Sequence, residues 1–271
     1  MLIDTHCHLD AAEFGGTQAD VVRNAKAAGI DCMVVPSVAR SNFDTVRTLC
    51  EQYPNCAPAY GIHPMYTSDA HPEDINVLRG YLQQHRPVAV GEIGLDFFIP
   101  HYDQVCQEHY FVEQLKLARE FDLPVLLHIR RAQDTILKHL RHFYGRGGPS
   151  TGLRTGIAHA FNGSRQQADE FIKLGFKLGF GGAMTYSRAT KLRELAATLP
   201  LESIVLETDA PDIPPDFLQR GLPNEPQYLP RIARTLAELR GTSPDEIARS
   251  TTENVLSVLP KLKSAIATTS R

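Results

Sequence analysis

The sequence predicts a parallel α/β fold, a (β/α)8 TIM barrel built as a single domain. Three observations lead there. Short apolar runs alternate with helical stretches about eight times along the chain. Most of these runs are continuously apolar, as a parallel sheet buried on both faces requires. No Gly-x-Gly-x-x-Gly follows the first run, which removes the main support for an open dinucleotide-binding sheet. A length of 271 residues suits one closed barrel. No stretch reads as a linker, so the domain is expected to span 1–262, followed by a polar tail at 263–271.

The first strand falls in Leu2-Ile3-Asp4-Thr5-His6-Cys7-His8, where alternation turns His6 and His8 to one face and Cys7 to the other. After a loop at 13–16, residues 17–28 predict a helix with Val21, Val22 and Ala25 on one side and Gly29 as its C-cap. Strand two is Cys32-Met33-Val34-Val35-Pro36-Ser37, and 41–52 the next helix, with Phe43, Val46 and Leu49 at helical spacing. Strand three, Ala57-Pro58-Ala59-Tyr60-Gly61-Ile62, ends at His63-Pro64, and a proline opens the helix at 72–85. Strand four, Val88-Ala89-Val90-Gly91-Glu92, ends on a carboxylate, and the longest helix covers 102–121. Strand five, Pro124-Val125-Leu126-Leu127-His128, ends on an imidazole, and a helix at 133–143 precedes a Gly/Pro/Ser loop at 145–152. Strand six, Gly156-Ile157-Ala158-His159, also ends on an imidazole, and Ser164 caps a helix at 164–174. Strand seven spans 176–180, with its helix at 188–198. Strand eight, Ser203-Ile204-Val205-Leu206-Glu207-Thr208-Asp209, runs to a carboxylate; a Pro-rich loop at 211–226 and helices at 227–239 and 244–259 close the chain.

Hydrophobic residues make up 42% and charged residues 22%, the proportions of an ordinary soluble protein. A formal net charge of −3 gives none of the basic excess that holds long nucleic acids by charge alone. Any nucleic-acid affinity must then come from a local pocket, with metal ions supplying positive charge. Cys7, Cys32, Cys50, Cys56 and Cys106 are odd in number and lack a C-x-x-C pair, which favours reduced thiols in the cytoplasm. No secretory leader pattern opens the sequence and no apolar run reaches membrane-spanning length, so neither export nor a membrane partner is expected.

In a barrel of this type, catalytic groups sit at the carboxyl ends of strands, because every strand delivers that end to one mouth. Here five of about eight strand ends carry metal donors: His6 and His8, Glu92, His128, His159 and Asp209. Four imidazoles and two carboxylates exceed what one tetrahedral ion takes, and suit two divalent ions sharing a carboxylate and a water. Glu92, central in strand order, is the bridging candidate. His6, His8 and Asp209 are expected to hold one ion, and His128 and His159 the other. Such a pair lowers the pKa of water and polarises a phosphoryl or carbonyl oxygen. Asp209 is placed to accept the proton of that water as general base.

The same residues carry a family resemblance. Ile3-Asp4-Thr5-His6-Cys7-His8-Leu9-Asp10, Gly61-Ile62-His63-Pro64, Val90-Gly91-Glu92-Ile93-Gly94-Leu95-Asp96 and Pro124-Val125-Leu126-Leu127-His128 occur in order. His159-Ala160-Phe161-Asn162-Gly163-Ser164, Glu207-Thr208-Asp209-Ala210-Pro211 and Asn224-Glu225-Pro226 follow. Across nearly its whole length the chain resembles the TatD family of metal-dependent deoxyribonucleases, within the amidohydrolase-like barrels. The resemblance implies metal positions at His6, His8, Glu92, His128, His159 and Asp209. Two places depart from the family pattern: Ala160 stands where cysteine is common, and Phe97-Phe98-Ile99-Pro100 where many members have tyrosine.

Of the remaining polar residues, His63 is a candidate for contacting a phosphate or leaving oxygen. Arg130 and Arg131, directly after His128, are candidates for clamping a phosphodiester. Asp4 is expected to orient a ligand from behind, Glu207 to be structural, and Cys7, Tyr81, Phe111 and Phe171 to pack. The leading expectation is a phosphodiesterase, a 3′-to-5′ exonuclease-like deoxyribonuclease using a water activated by two divalent metals (Zn, Mn, Mg or Ni). Its partner is DNA or a small phosphodiester, with no obligate protein partner evident. Two alternatives differ in class: an amidohydrolase acting on a small amide or ester, and a metal-stabilised binding protein without catalysis. No lysine ends a strand to supply the carboxylated bridge common in amidohydrolases, and six donors exceed a closed structural site.

Overall fold

Apolar runs rich in β-branched residues become strands here, and the amphipathic stretches between them become the helices that cover the sheet. The computed structural model describes residues 1–144, 155–263 and 266. Among these the strands are β1 (Leu2–Asp4), β2 (Ile30–Pro36), β3 (Cys56–Tyr60), β4 (Ala89–Asp96), β5 (Val125–Arg130), β6 (Gly156–Ala158), β7 (Lys177–Phe180) and β8 (Ile204–Leu206). The helices are α1 (Gln18–Ala27), α2 (Phe43–Gln52), α3 (Glu73–His85), α4 (Gln104–Glu120), α5 (Gln133–Tyr144), α6 (Arg165–Lys173), α7 (Thr190–Thr198), α8 (Leu229–Arg240) and α9 (Pro244–Val258). The strands form one eight-stranded sheet in chain order, β1 to β8. The loop expected at 145–152 and most of the tail expected at 263–271 lie outside the described residues.

By their contacts the residues fall into two compact units. The first comprises Met1–Val35, Thr48–Ala57 and Gly179–Arg271. Within it β1 pairs with β2 in parallel, Ile3 opposite Cys32 and Asp4 opposite Met33. The chain's last strand returns to its first: Thr5 N–H donates to Leu206 O at 3.2 Å, and Cys7 and Ala210 form a parallel bridge beyond. Ile3, Met33, Val34, Val205 and Leu206 are all buried, as the continuous apolar runs require. Helix α9 starts where the Ser243 hydroxyl accepts the N–H of Glu246, with Pro244 in the first turn, where its missing donor costs nothing.

The second unit comprises Pro36–Arg47 and Pro58–Leu178. Here β3 pairs with β4, β4 with β5, β5 with β6 and β6 with β7, all parallel. Gly156 is required by the approach of β6 to β5, since a Cβ there would lie 2.0 Å from Val125 O. Phe111 and Phe171 are fully buried packing residues.

Element boundaries differ from expectation where side chains intervene. Helix α4 begins at Gln104 rather than 102 because the Asp103 carboxylate accepts Cys106 N–H at 3.0 Å. Helix α7 begins at Thr190 rather than 188. Strand β4 runs four residues past Glu92 to Asp96, so Glu92 lies within the strand, next to a register irregularity between Val90 and Ile93. Strand β8 stops at Leu206, because Thr208 N–H donates to the Asp4 carboxylate at 2.9 Å in place of a strand neighbour. No described helix is long and apolar enough to cross a membrane.

Candidate metal centre

In the first unit, the segment after β1 is held against the segment after β8. Asp209 N–H donates to His6 O at 2.9 Å and His8 N–H to Ala210 O at 2.7 Å. That pairing brings three donors together. His6 Nε2 and His8 Nε2 are 3.3 Å apart, and Asp209 Oδ1 lies 3.8 Å from the first and 3.7 Å from the second. His6 is buried, while His8 and Asp209 keep 17% and 14% of their side-chain exposure, so the group opens to solvent on one side. Asp209 is held at φ 58°, a left-handed conformation that aspartate tolerates better than most residues.

Asp4 anchors this arrangement from beneath. Its Oδ1 accepts the backbone N–H groups of His6 at 3.2 Å and Thr208 at 2.9 Å, and its Oδ2 accepts the Thr208 hydroxyl at 2.5 Å. One fully buried carboxylate thus ties together the two segments that carry the donors. Burial pushes this carboxyl up to about 7, against the hydrogen bonds from Thr208 and His6 that favour its charged form. Glu207 is buried on the bare backbone of Gly179, where a Cβ would sit 2.2 Å from its Oε2. Cys7 is fully buried.

In the second unit Glu92 is the centre. Its backbone N–H donates to Ser37 O at 3.0 Å, and its carboxylate is buried. Glu92 Oε1 lies 3.0 Å from His128 Nδ1 and 3.7 Å from His63 Nε2. A ring nitrogen of His159, which is buried just past β6, lies within 4.8 Å of a Glu92 oxygen. The other nitrogen of His128, Nε2, lies 3.0 Å from Asp96 Oδ2. Burial lowers the pKa of His128, but hydrogen bonds to Asp96 and Glu92 outweigh it and hold the imidazole above its usual range. Burial likewise raises the Asp96 carboxyl, yet His128 and the Phe98 N–H bring it below the ordinary carboxylate range.

Each unit therefore assembles a donor group of its own, His6 with His8 and Asp209 in the first and His63 with Glu92 and His128 in the second, with the ligand atoms of each within 4.8 Å of one another. Imidazole nitrogens mixed with carboxylate oxygens at this spacing are the donor chemistry of a divalent cation such as zinc or manganese, so the residues fit the group. His63 stands apart within its triad. Its Nδ1 accepts Met65 N–H at 3.1 Å, so a neutral ring carries its proton on Nε2 and presents a hydrogen-bond donor rather than a lone pair.

Sequence reasoning passed over Asp96. The signal was available, because alternation along a strand extended to Asp96 puts that carboxylate on the same face as Glu92 and Gly94. Strand pairing then sets Gly94 against His128 and Asp96 against Arg130. Arg130 ends β5 and Arg131 follows at φ 55°; both are exposed, with guanidinium carbons 3.8 Å and 4.5 Å from the Phe98 ring centroid.

Parallel strands in chain order, the return of β8 to β1, and donors within β4 and β5 and past the carboxyl ends of β1, β6 and β8 define a (β/α)8 metal-dependent hydrolase. The family model described as TatD related DNase matches residues 3–260, and the chain belongs to that family. A metal-dependent hydrolase of Escherichia coli K12, YjjV, is 42% identical over 257 residues, covering 93% of this chain and 95% of that one. The crystal structure of that TatD homologue superposes with a TM-score of 0.88 at 40% identity, over 96% of this chain and 98% of that one. The 3′-5′ ssDNA/RNA exonuclease TatD of Citrobacter rodentium is 30% identical over 93% of this chain and 95% of its own length.

Proposed function

We propose that this chain is a metal-dependent phosphodiesterase, a deoxyribonuclease of the 3′-to-5′ exonuclease type, acting on DNA or a small phosphodiester in the cytoplasm. The observation that carries the reading is the pair of imidazole–carboxylate groups, His6 with His8 and Asp209, and Glu92 with His128. Support for nucleic acid as the substrate comes from the exonuclease named among the relatives. Five free thiols support a reducing compartment.

His6, His8 and Asp209 would hold one divalent cation, and Glu92, His128 and His159 a second. Zinc, manganese, nickel and magnesium all suit such a set. When bound, the cations polarise the phosphoryl oxygen and acidify water at neutral pH. Asp209, part-exposed at the solvent side of its group, accepts the proton of the attacking water. Asp96 holds the His128 ring by Nε2, which would leave Nδ1, the nitrogen beside Glu92, for the cation. His63 donates its Nε2 proton toward a phosphoryl or leaving oxygen. Arg130 and Arg131 bind phosphate, and residues 1–262 act as the hydrolase domain.

The test pairs substrates of two bond types. Metal-restored protein is incubated with a single-stranded oligodeoxynucleotide, with bis(p-nitrophenyl) phosphate and with a dihydroorotate-like cyclic amide, each with and without chelator. Chelator-sensitive cleavage of phosphodiesters with the amide intact is expected. Opening of the amide with both phosphodiesters untouched would transfer the site to amide hydrolysis.

A further inference from the structure

The loop after β4 carries exposed aromatic groups that the hydrolytic chemistry does not use. Phe98 is 45% exposed, an unusual position for a phenylalanine, and its ring lies against two guanidinium groups. Both are within the distance at which a cation is attracted to a ring face. Among the described residues neither Arg130 nor Arg131 forms an ion pair with a carboxylate. Their positive charges are gathered on one exposed ring, with the Arg130 charge also within electrostatic range of the Asp96 carboxylate.

The placement of this cluster is fixed relative to His128. Asp96 Oδ1 accepts Phe98 N–H at 2.9 Å while its Oδ2 meets His128 Nε2 at 3.0 Å, so one buried carboxylate sets both. Phe97 N–H donates to Arg130 O at 2.9 Å, locking the loop to the end of β5. Arg130 follows His128 by two residues on β5, hence on the same face and about 7 Å further out along the strand. A phosphate held there is not the one at His128. It belongs to a neighbouring position of a longer substrate.

We propose that Phe98, Arg130 and Arg131 form a second phosphate subsite, one that selects a single-stranded nucleic-acid chain over a substrate with a single phosphodiester. Arg130 and Arg131 contact the flanking phosphate, and Phe98 is a positioning residue that holds the two guanidinium groups together. The proposal rests on the nuclease reading and adds the requirement for a second phosphate.

The experiment measures binding and turnover separately. Fluorescence anisotropy of the metal-loaded protein with a 5′-labelled single-stranded decadeoxynucleotide carrying cleavage-resistant phosphorothioate linkages is followed across salt concentrations. Arg130→Gln and Arg131→Gln should each weaken binding about tenfold and reduce the slope of log affinity against log salt by about one. Phe98→Leu should raise the oligonucleotide KM several-fold, and Phe98→Tyr should restore it because a ring is retained. In all three loss variants, selectivity for the oligonucleotide over bis(p-nitrophenyl) phosphate should fall. Equal losses on both substrates, or unchanged oligonucleotide binding and salt slope, would overturn the subsite while leaving the nuclease reading intact. Failure of the wild-type protein to cleave either phosphodiester would remove both.

Discussion

Asp96 illustrates how much of this site rests on single side chains behind the donors. It takes one nitrogen of His128, leaving the ring no freedom to rotate away from Glu92. Asp96→Asn keeps an acceptor for Phe98 N–H but loses the charge that orients His128. We expect turnover to fall about 10- to 100-fold with the circular dichroism spectrum unchanged. His128→Ala and Asp209→Asn should each abolish cleavage of the oligonucleotide in a protein that still folds; activity at the wild-type level would reject their roles. Away from the site, the buried Asp74 carboxylate accepts His71 N–H and the Arg40 guanidinium, both at 2.9 Å. Burial raises this carboxyl, but the two hydrogen bonds outweigh it and hold it below its ordinary 3.8. Its contribution to stability is therefore present above pH 3.8 and lost as pH falls through the lower folded value. Asp74→Asn should cost about 1–2 kcal/mol in urea unfolding at pH 7, and the difference from wild type should shrink at pH 3.

Strands and helices were legible in the chain to different degrees, for physical reasons. Continuous apolar runs such as Val125-Leu126-Leu127, short and preceded by proline, fit strands of a doubly covered sheet, and some helices carry a readable cap. The Ser164 hydroxyl accepts Gln167 N–H while the Gln167 side chain accepts Ser164 N–H, a reciprocal box readable directly from Ser-x-x-Gln. Ser164→Ala should cost about 1 kcal/mol, seen as a melting temperature lower by about 2–4 °C. The end of β4 lies four residues beyond the expected one. The expected strand ended on the Glu92 carboxylate, yet pairing of Leu95 with Ile129 and Asp96 with Arg130 continues the ladder. The position of Asp96 beside His128 was lost with that boundary. Gly156 was likewise unremarked, since its need arises only from the backbone of a neighbouring strand. Gly156→Ala should destabilise by about 1–3 kcal/mol, because Val125 O cannot retreat without breaking the β5–β6 pairing.

Taken together, the chain is a metal-dependent hydrolase whose fold follows from eight repeats of one strand–helix unit. Buried carboxylates such as Glu92 and Asp96 are tolerated because imidazole partners surround them, and a bound cation should add to that compensation. Metal loading well above the dissociation constant should therefore raise the melting temperature by about 5 °C or more, and chelation should reverse the gain. The net charge of −3 leaves such cations and a few local guanidinium groups as the attraction for a polyanionic substrate. The most direct test is the metal content of metal-replete protein, measured by plasma mass spectrometry on wild type, His8→Ala and His128→Ala. We predict about two divalent cations per chain in the wild type and about one in each variant. Equal content in all three proteins, or none above background in the wild type, would contradict the proposed ligands.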